Sequence, residues 1–268
     1  MNIYLPLMFT SLYLLGMQAT VTSANLEDIR SLNPGSIQLN NLRIYEDWEA
    51  YKQQAALVAD MRSMVVLYFQ PESTGLTEFC RWAAINIQAD TFQIAQEPDM
   101  PTGMPGYYGG WGIEKIDRYA EQFIECSNAI REHSNAKVIV GLSTTQGWQE
   151  WLSALMTYPV RIDAIGIHHY NSYHWYEYNP EPLRNNIEYV KQFGFGVPVW
   201  VSELGYGCRA DPDPGFYQAQ ADFIRRAVRD AFQFGAQRVY YYGYNPGWNC
   251  VDLKDNPLAL EAFREYTR

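Results

Sequence analysis

The chain is short of positive charge. Twenty Lys and Arg stand against 30 Asp and Glu over 268 residues, a formal charge of −10. Phosphate binding needs a basic surface, so this balance argues against a nucleic-acid partner. Cysteine is scarce too: Cys80, Cys126, Cys208 and Cys250 are the four. They show neither CxxC nor the Cys/His spacing of a zinc site. His168 and His169 are adjacent, so they face opposite sides of a strand, and no His-x-His occurs. A metal-dependent hydrolase is disfavoured on that ground, and no metal or cofactor is expected. A stable membrane span is not expected either: the apolar stretch from Ile3 to Leu15 is short and broken by Pro6, Thr10 and Ser11. There is no linker or break in composition, which points to one domain over residues 25–268.

What precedes residue 25 reads in two ways. Ile3 to Leu15 followed by the small and polar stretch Met17 to Ala24 resembles a signal peptide cut near Ala24, although no Lys or Arg precedes the apolar part. The protein would then be secreted or periplasmic. Alternatively, Leu12 to Val21 is the first strand of the fold.

Hydrophobic residues make up 47% of the chain and aromatic residues 15%, with 21 Tyr and 8 Trp. A large core is therefore available, and the aromatic excess suits stacking against the apolar faces of sugar rings. Short apolar runs without alternation occur at 38–45, 64–69, 91–96, 137–142, 164–169, 198–202 and 238–242. Helical periodicity fills the gaps, most clearly over Ile116 to His133. Buried strands linked by helices form a parallel sheet covered on both sides. A unit of about 30 to 40 residues suits a (β/α)₈ TIM barrel. Its eighth strand has to come from the N-terminal segment, or it is missing. On this layout Cys80 and Cys126 sit on or near adjacent outer helices, while Cys208 and Cys250 follow neighbouring strands. Pairing and four reduced thiols both remain open.

In such a barrel the chemistry lies at the C-terminal ends of the strands. Two glutamates stand there after apolar runs, Glu97 in Gln96-Glu97-Pro98 and Glu203 in Trp200-Val201-Ser202-Glu203. From strands four and seven they point into one pocket, an arrangement suited to one acid and one nucleophile across a glycosidic bond. Strand six ends in His168-His169-Tyr170, and strand two in Arg43-Ile44-Tyr45.

These motifs resemble the clan A glycoside hydrolases over roughly residues 38 to 268, with an arrangement similar to families 5, 39 and 128. The resemblance implies Glu97 as acid/base, Glu203 as nucleophile, His168 lining the subsite of the cleaved sugar and Tyr170 hydrogen-bonding the nucleophile. It also implies Arg43 as a cation near Glu203. The clan has Asn before the acid/base, in contact with the sugar 2-hydroxyl; here Gln96 keeps the amide on a longer stem. Loop aromatics are expected to form sugar platforms: Tyr107, Tyr108 and Trp111 after strand four, Tyr173, Trp175, Tyr176 and Tyr178 after strand six, and Tyr242, Tyr244 and Trp248 at or after strand eight. Asp47, Trp48, Gln70 and Asp99 are weaker candidates for polar sugar contacts. The implied activity is that of a monomeric retaining β-glycosidase, endo-acting on an oligo- or polysaccharide. The alternative is a weakened or inactive barrel that binds glycans.

Overall fold

The computed structural model describes residues 14–101, 110–171, 178–193, 196–207, 212–243 and 252–268. Eight strands alternate with eight helices: β1 Leu14–Ala19, α1 Leu26–Ser31, β2 Ser36–Arg43, α2 Trp48–Ala56, β3 Ser63–Tyr68, α3 Leu76–Asn86, β4 Thr91–Ile94, α4 Ile116–His133, β5 Lys137–Leu142, α5 Trp148–Leu155, β6 Ala164–Tyr170, α6 Glu181–Gln192, β7 Val199–Gly205, α7 Pro214–Phe234, β8 Arg238–Tyr241 and α8 Pro257–Arg264. Each strand pairs in parallel with the next. β1 also pairs with β8, Leu14 opposite Arg238 and Met17 opposite Tyr241, so the sheet closes into a (β/α)₈ barrel. The first strand thus lies over Leu14–Ala19, within the N-terminal segment, and a cut near Ala24 would remove it. Among the described residues no helix is long and apolar enough to cross a membrane.

The core has two layers. Val65, Phe92, Val138, Ile165, Val201 and Val239 point outward and pack under the helices with residues such as Phe79, Phe123 and Ile224. Met64, Ile139, Ala164, Trp200 and Tyr240 fill the inside of the barrel near its N-terminal end. Burial of this kind is worth roughly 1.5–3 kcal/mol for each large apolar side chain. Asp47, Asp213 and Asn256 cap α2, α7 and α8 through their side chains, satisfying amides the helices leave open. Asp47 is accordingly an N-cap. Trp48 packs on Phe79 and Trp82 and donates its indole N–H to the Ile44 carbonyl, so neither is placed as a sugar contact.

Two departures from regular strands shape the catalytic end. β4 stops at Ile94, two residues earlier than the apolar run suggests, because Ala95 and Glu97 both take the left-handed conformation, φ 62° and 47°. In β7 the register slips by one residue against both neighbours. Val201 lies opposite Val239 and Leu204 opposite Tyr241; Ile167 lies opposite Val201 and His168 opposite Glu203. This is a β-bulge, which re-aims side chains.

Cys80 on α3 and Cys126 on α4 form a disulfide across the outer layer, with a Cα–Cα distance of 5.3 Å. Cys208 and Cys250 lie outside the described residues. A bridge that closes a loop of this length contributes about 2–5 kcal/mol. Cys126→Ala is expected to lower the thermal midpoint by several degrees, and a reductant should do the same to the wild type. Indifference of the midpoint to both changes would show that this bond is not formed.

Candidate functional site

Glu97, His168 and Glu203 converge at the C-terminal mouth of the barrel, with one ligating atom from each within 4.8 Å of the others. β6 runs without a bulge up to its end. Its alternation sends Ile165 and Ile167 outward to the helix layer and His168 inward. β7 needs its bulge: Trp200 and Ser202 face the lumen, and strict alternation would turn Glu203 outward. The extra residue brings Glu203 back over the lumen while Leu204 returns to the outer layer. Gly166 on β6 leaves room for Ser202, since a Cβ there would lie 2.4 Å from the serine Oγ.

Glu203 is buried and heavily partnered. Its Oε1 accepts from Gln96 Nε2 at 2.7 Å, and its Oε2 accepts a short hydrogen bond from the Tyr170 hydroxyl. His168 Nδ1 lies 2.7 Å from Glu97 Oε1 and 3.5 Å from Glu203 Oε2, so one ring nitrogen serves both acids. Burial alone would pull His168 down, but the charges of Glu203 and Glu97, with Asp99 behind them, outweigh it. The imidazole is raised to about 9 and stays protonated at neutral pH. Burial pushes Glu203 up, while His168, Tyr170 and Gln96 pull against that rise. His169 faces away. It is buried against Tyr178 and lowered to about 4 by that burial, so it is neutral. Asp99 is also buried, which pushes it up to about 6. It accepts from the backbone N–H and hydroxyl of Ser143, tying the end of β5 to the Glu97 turn.

Glu97, with Met100, Ser143, Thr145, His168, Tyr170, Asn171 and Asn186, lines a cleft of about 920 Å³ that runs from the barrel mouth towards the start of α6. The left-handed backbone at Glu97 and at Thr144, φ 58°, borders this cleft. Such conformations cost about 1–3 kcal/mol each in non-glycine residues and collect at functional sites. Two acids and an imidazole can draw in a cation, and the same three groups can instead share a proton. None of the three is assigned as a metal ligand.

Residues 117–246 match the glycosyl hydrolase catalytic core. This agrees with the resemblance read from the strand-end motifs. A comparison with curated proteins gives no match. Among solved structures, the GH53 catalytic domain of Ignisphaera aggregans superposes with a TM-score of 0.70 at 15% identity, covering 97% of this chain and 98% of that one. A GH128 (subgroup I) endo-beta-1,3-glucanase from Amycolatopsis mediterranei gives 0.65 at 13%, covering 94% and 99%. The hyperthermophilic beta-glucosidase of Pyrococcus furiosus gives 0.66 at 13%, covering 97% and 95%. At such identities the likeness is one of fold.

The remaining candidates divide. Tyr242 stands at the mouth, its ring 5.7 Å from that of Tyr170, and burial with the charges of Glu203 and Glu97 raises its hydroxyl. Trp111 is not a platform. It is fully buried, edge-on to Phe69 and Tyr119, and its indole N–H donates to Gln122. Tyr178 is largely buried beside Phe223 but lines the cleft. Arg43 pairs with Glu46 at 3.4 Å and lies over the Tyr68 ring, half exposed; the cation beside Glu203 is His168 instead. Gln70 is tied by its backbone N–H to Ser73. Trp175 and Trp248, with Tyr107, Tyr108, Tyr173, Tyr176 and Tyr244, lie outside the described residues. The sequence reading missed Gln93, whose amide donates to Gln96, and Ser143. Neither stands in a motif or at a telling spacing.

Proposed function

We propose that the protein is a retaining glycoside hydrolase that cleaves β-linked glycosidic bonds in an oligo- or polysaccharide by double displacement. The observation that carries this reading is that one carboxyl oxygen of Glu97 and one of Glu203 come within 4.8 Å of each other around one imidazole. Retaining enzymes hold their two carboxyls about 5–5.5 Å apart, and inverting ones leave about 6.5–9.5 Å for a water. Glu203, fixed by Gln96 and Tyr170, attacks the anomeric carbon. Glu97, in the wall of the cleft, protonates the departing oxygen; the proton lies in the short contact between its Oε1 and His168 Nδ1. Once Glu203 is glycosylated its charge is gone, and Glu97, ionised beside an imidazole that has given up the shared proton, takes a proton from the incoming water and restores it.

The hydroxyl and amide side chains along the cleft, Ser143, Thr145, Asn171 and Asn186, suit a polyhydroxylated chain, and internal cleavage is the mode proposed. A monomer is proposed. The Cys80–Cys126 bridge favours a secreted or periplasmic setting. Release of reducing ends from β-1,3-, β-1,4- and mixed-linkage glucans, mannan and xylan tests the proposal. Activity on at least one, with mid-chain products appearing first, is expected. A second reading rests on Gln96, whose amide is engaged by Glu203: a barrel that binds glycans without cleaving them. Calorimetric binding to one of these glycans with no sugar released from any would favour it.

A further inference from the structure

The side chain that sets the orientation of Gln96 is itself out of reach of any substrate. Gln93 lies on β4, fully buried, with Phe92 and Ile94 on either side pointing to the helix layer and its own amide inside the barrel. Its Nε2 donates to the Ala95 carbonyl at 3.2 Å and to Gln96 Oε1 at 3.1 Å. Its Oε1 is buried and has no hydrogen-bond partner among the described residues. An amide can be turned over in place, but here only one sense works. A carbonyl oxygen accepts and never donates, so the Gln93 atom beside Ala95 has to be nitrogen. That nitrogen also faces Gln96, so Gln96 has to present oxygen to it. Gln96 is then left with its nitrogen towards Glu203, as found at 2.7 Å.

The backbone sets this arrangement. Ala95 sits at φ 62°, and the left-handed residues Ala95 and Glu97 bracket Gln96 as the chain leaves the strand. On the other side, Gly141 of β5 makes room for the Gln93 amide; a Cβ there would lie 2.3 Å from its carboxamide carbon. From this geometry we infer that Gln93 is a positioning residue for the nucleophile: through Gln96 it relays the fixed direction of the Ala95 carbonyl into an N–H aimed at Glu203. The inference rests on the reading of Glu203 as nucleophile, and its test does not depend on turnover.

The test follows the Glu203 carboxyl through a pH titration by NMR in protein labelled with ¹³C at the glutamate side-chain carboxyl, the resonance being assigned from Glu203→Gln. An N–H donated to the carboxylate favours its charged form, so losing the donor moves the titration to higher pH. Gln93→Met, close in shape and without the amide, is expected to move it upward in the same sense as Gln96→Met. The double variant should move it no further than Gln96→Met alone, because the two residues act in series. Gln93→Glu should move it at least as far, since it offers Gln96 an acceptor and turns the Gln96 oxygen to Glu203. Where the protein is active, kcat/KM on the acid side should fall by about 10- to 100-fold in Gln93→Met. An unmoved titration in Gln93→Met beside a moved one in Gln96→Met overturns the inference, as do additive shifts. In the wild type, the side-chain amide signals of both Gln93 and Gln96 should follow the Glu203 titration; a Gln93 signal that ignores it overturns the inference even if the variants fail to fold. A protein that cleaves no glycan refutes the proposed reaction and leaves the titration result standing.

Discussion

Replacing Glu203 with alanine is expected to lower kcat on any glycan substrate by on the order of 10⁴-fold or more, about 5 kcal/mol of transition-state stabilisation. The side chain is buried beneath the cleft, with both oxygens held by Gln96 and Tyr170, so no neighbouring group can take its place. The lost carboxylate also leaves space beside the anomeric carbon. A small anion such as azide should enter it and react with an activated aryl glycoside from the face Glu203 normally uses. One displacement in place of two gives a glycosyl azide of inverted configuration. The variant should fold, because removing a buried acid relieves its desolvation cost and leaves His168 paired with Glu97 at 2.7 Å. Full activity in Glu203→Ala, or an azide product of retained configuration, would remove the nucleophile assignment.

Glu97→Ala should divide substrates by their leaving groups. A natural glycan, whose departing alkoxide needs a proton, should lose about 10²- to 10⁴-fold in kcat/KM, the usual range for a general acid. An aryl glycoside with a strongly acidic phenol needs no proton to depart, so its first step should be nearly unaffected. The second step loses its base, so the glycosyl enzyme should accumulate and give a burst of phenol. Azide, which needs no base, should then speed turnover and yield a product of retained configuration. The opposite stereochemistry in the two variants tells the acids apart. Equal losses on both substrate classes would contradict the acid/base role of Glu97. His168 is part of this prediction: without Glu97 the imidazole keeps only the longer contact to Glu203, 3.5 Å, and its raised pKa should fall.

Much of this site can be read from the chain. Seven of the strands fall on short apolar runs, because each is buried on both faces and composition records that; β1, in the segment that also resembles a signal peptide, needed the structure to decide it. Glu97, Glu203, His168 and Tyr170 were legible because each stands at the end of such a run, where barrel chemistry is placed. The β7 bulge was not. A one-residue slip against β6 and β8 leaves no mark in residue type, yet without it Glu203 would face the helices. Arg43 and Trp111 were misread for a related reason. Arg43 at the end of strand two and Trp111 in the loop after strand four suit a sugar site by place, but Glu46 and Tyr68 hold the one, and the core beneath α4 absorbs the other. Gln93 and Gln96 are three residues apart, a spacing that means nothing along an extended strand. It acquires meaning only when the chain turns left-handed at Ala95 and brings the two amides together.

The seam between β1 and β8 has a consequence for how the protein comes into being. Leu14 to Met17 pair with Arg238 to Tyr241, so β1 gains this neighbour only once the chain has been made through residue 241. Until then β1 presents an open edge, the state most exposed to mispairing with another molecule. Maturation of this enzyme-like barrel should therefore be slow and sensitive to crowding during synthesis. A nascent chain arrested before residue 238 should be readily cut by protease near β1, and a released full-length chain should resist.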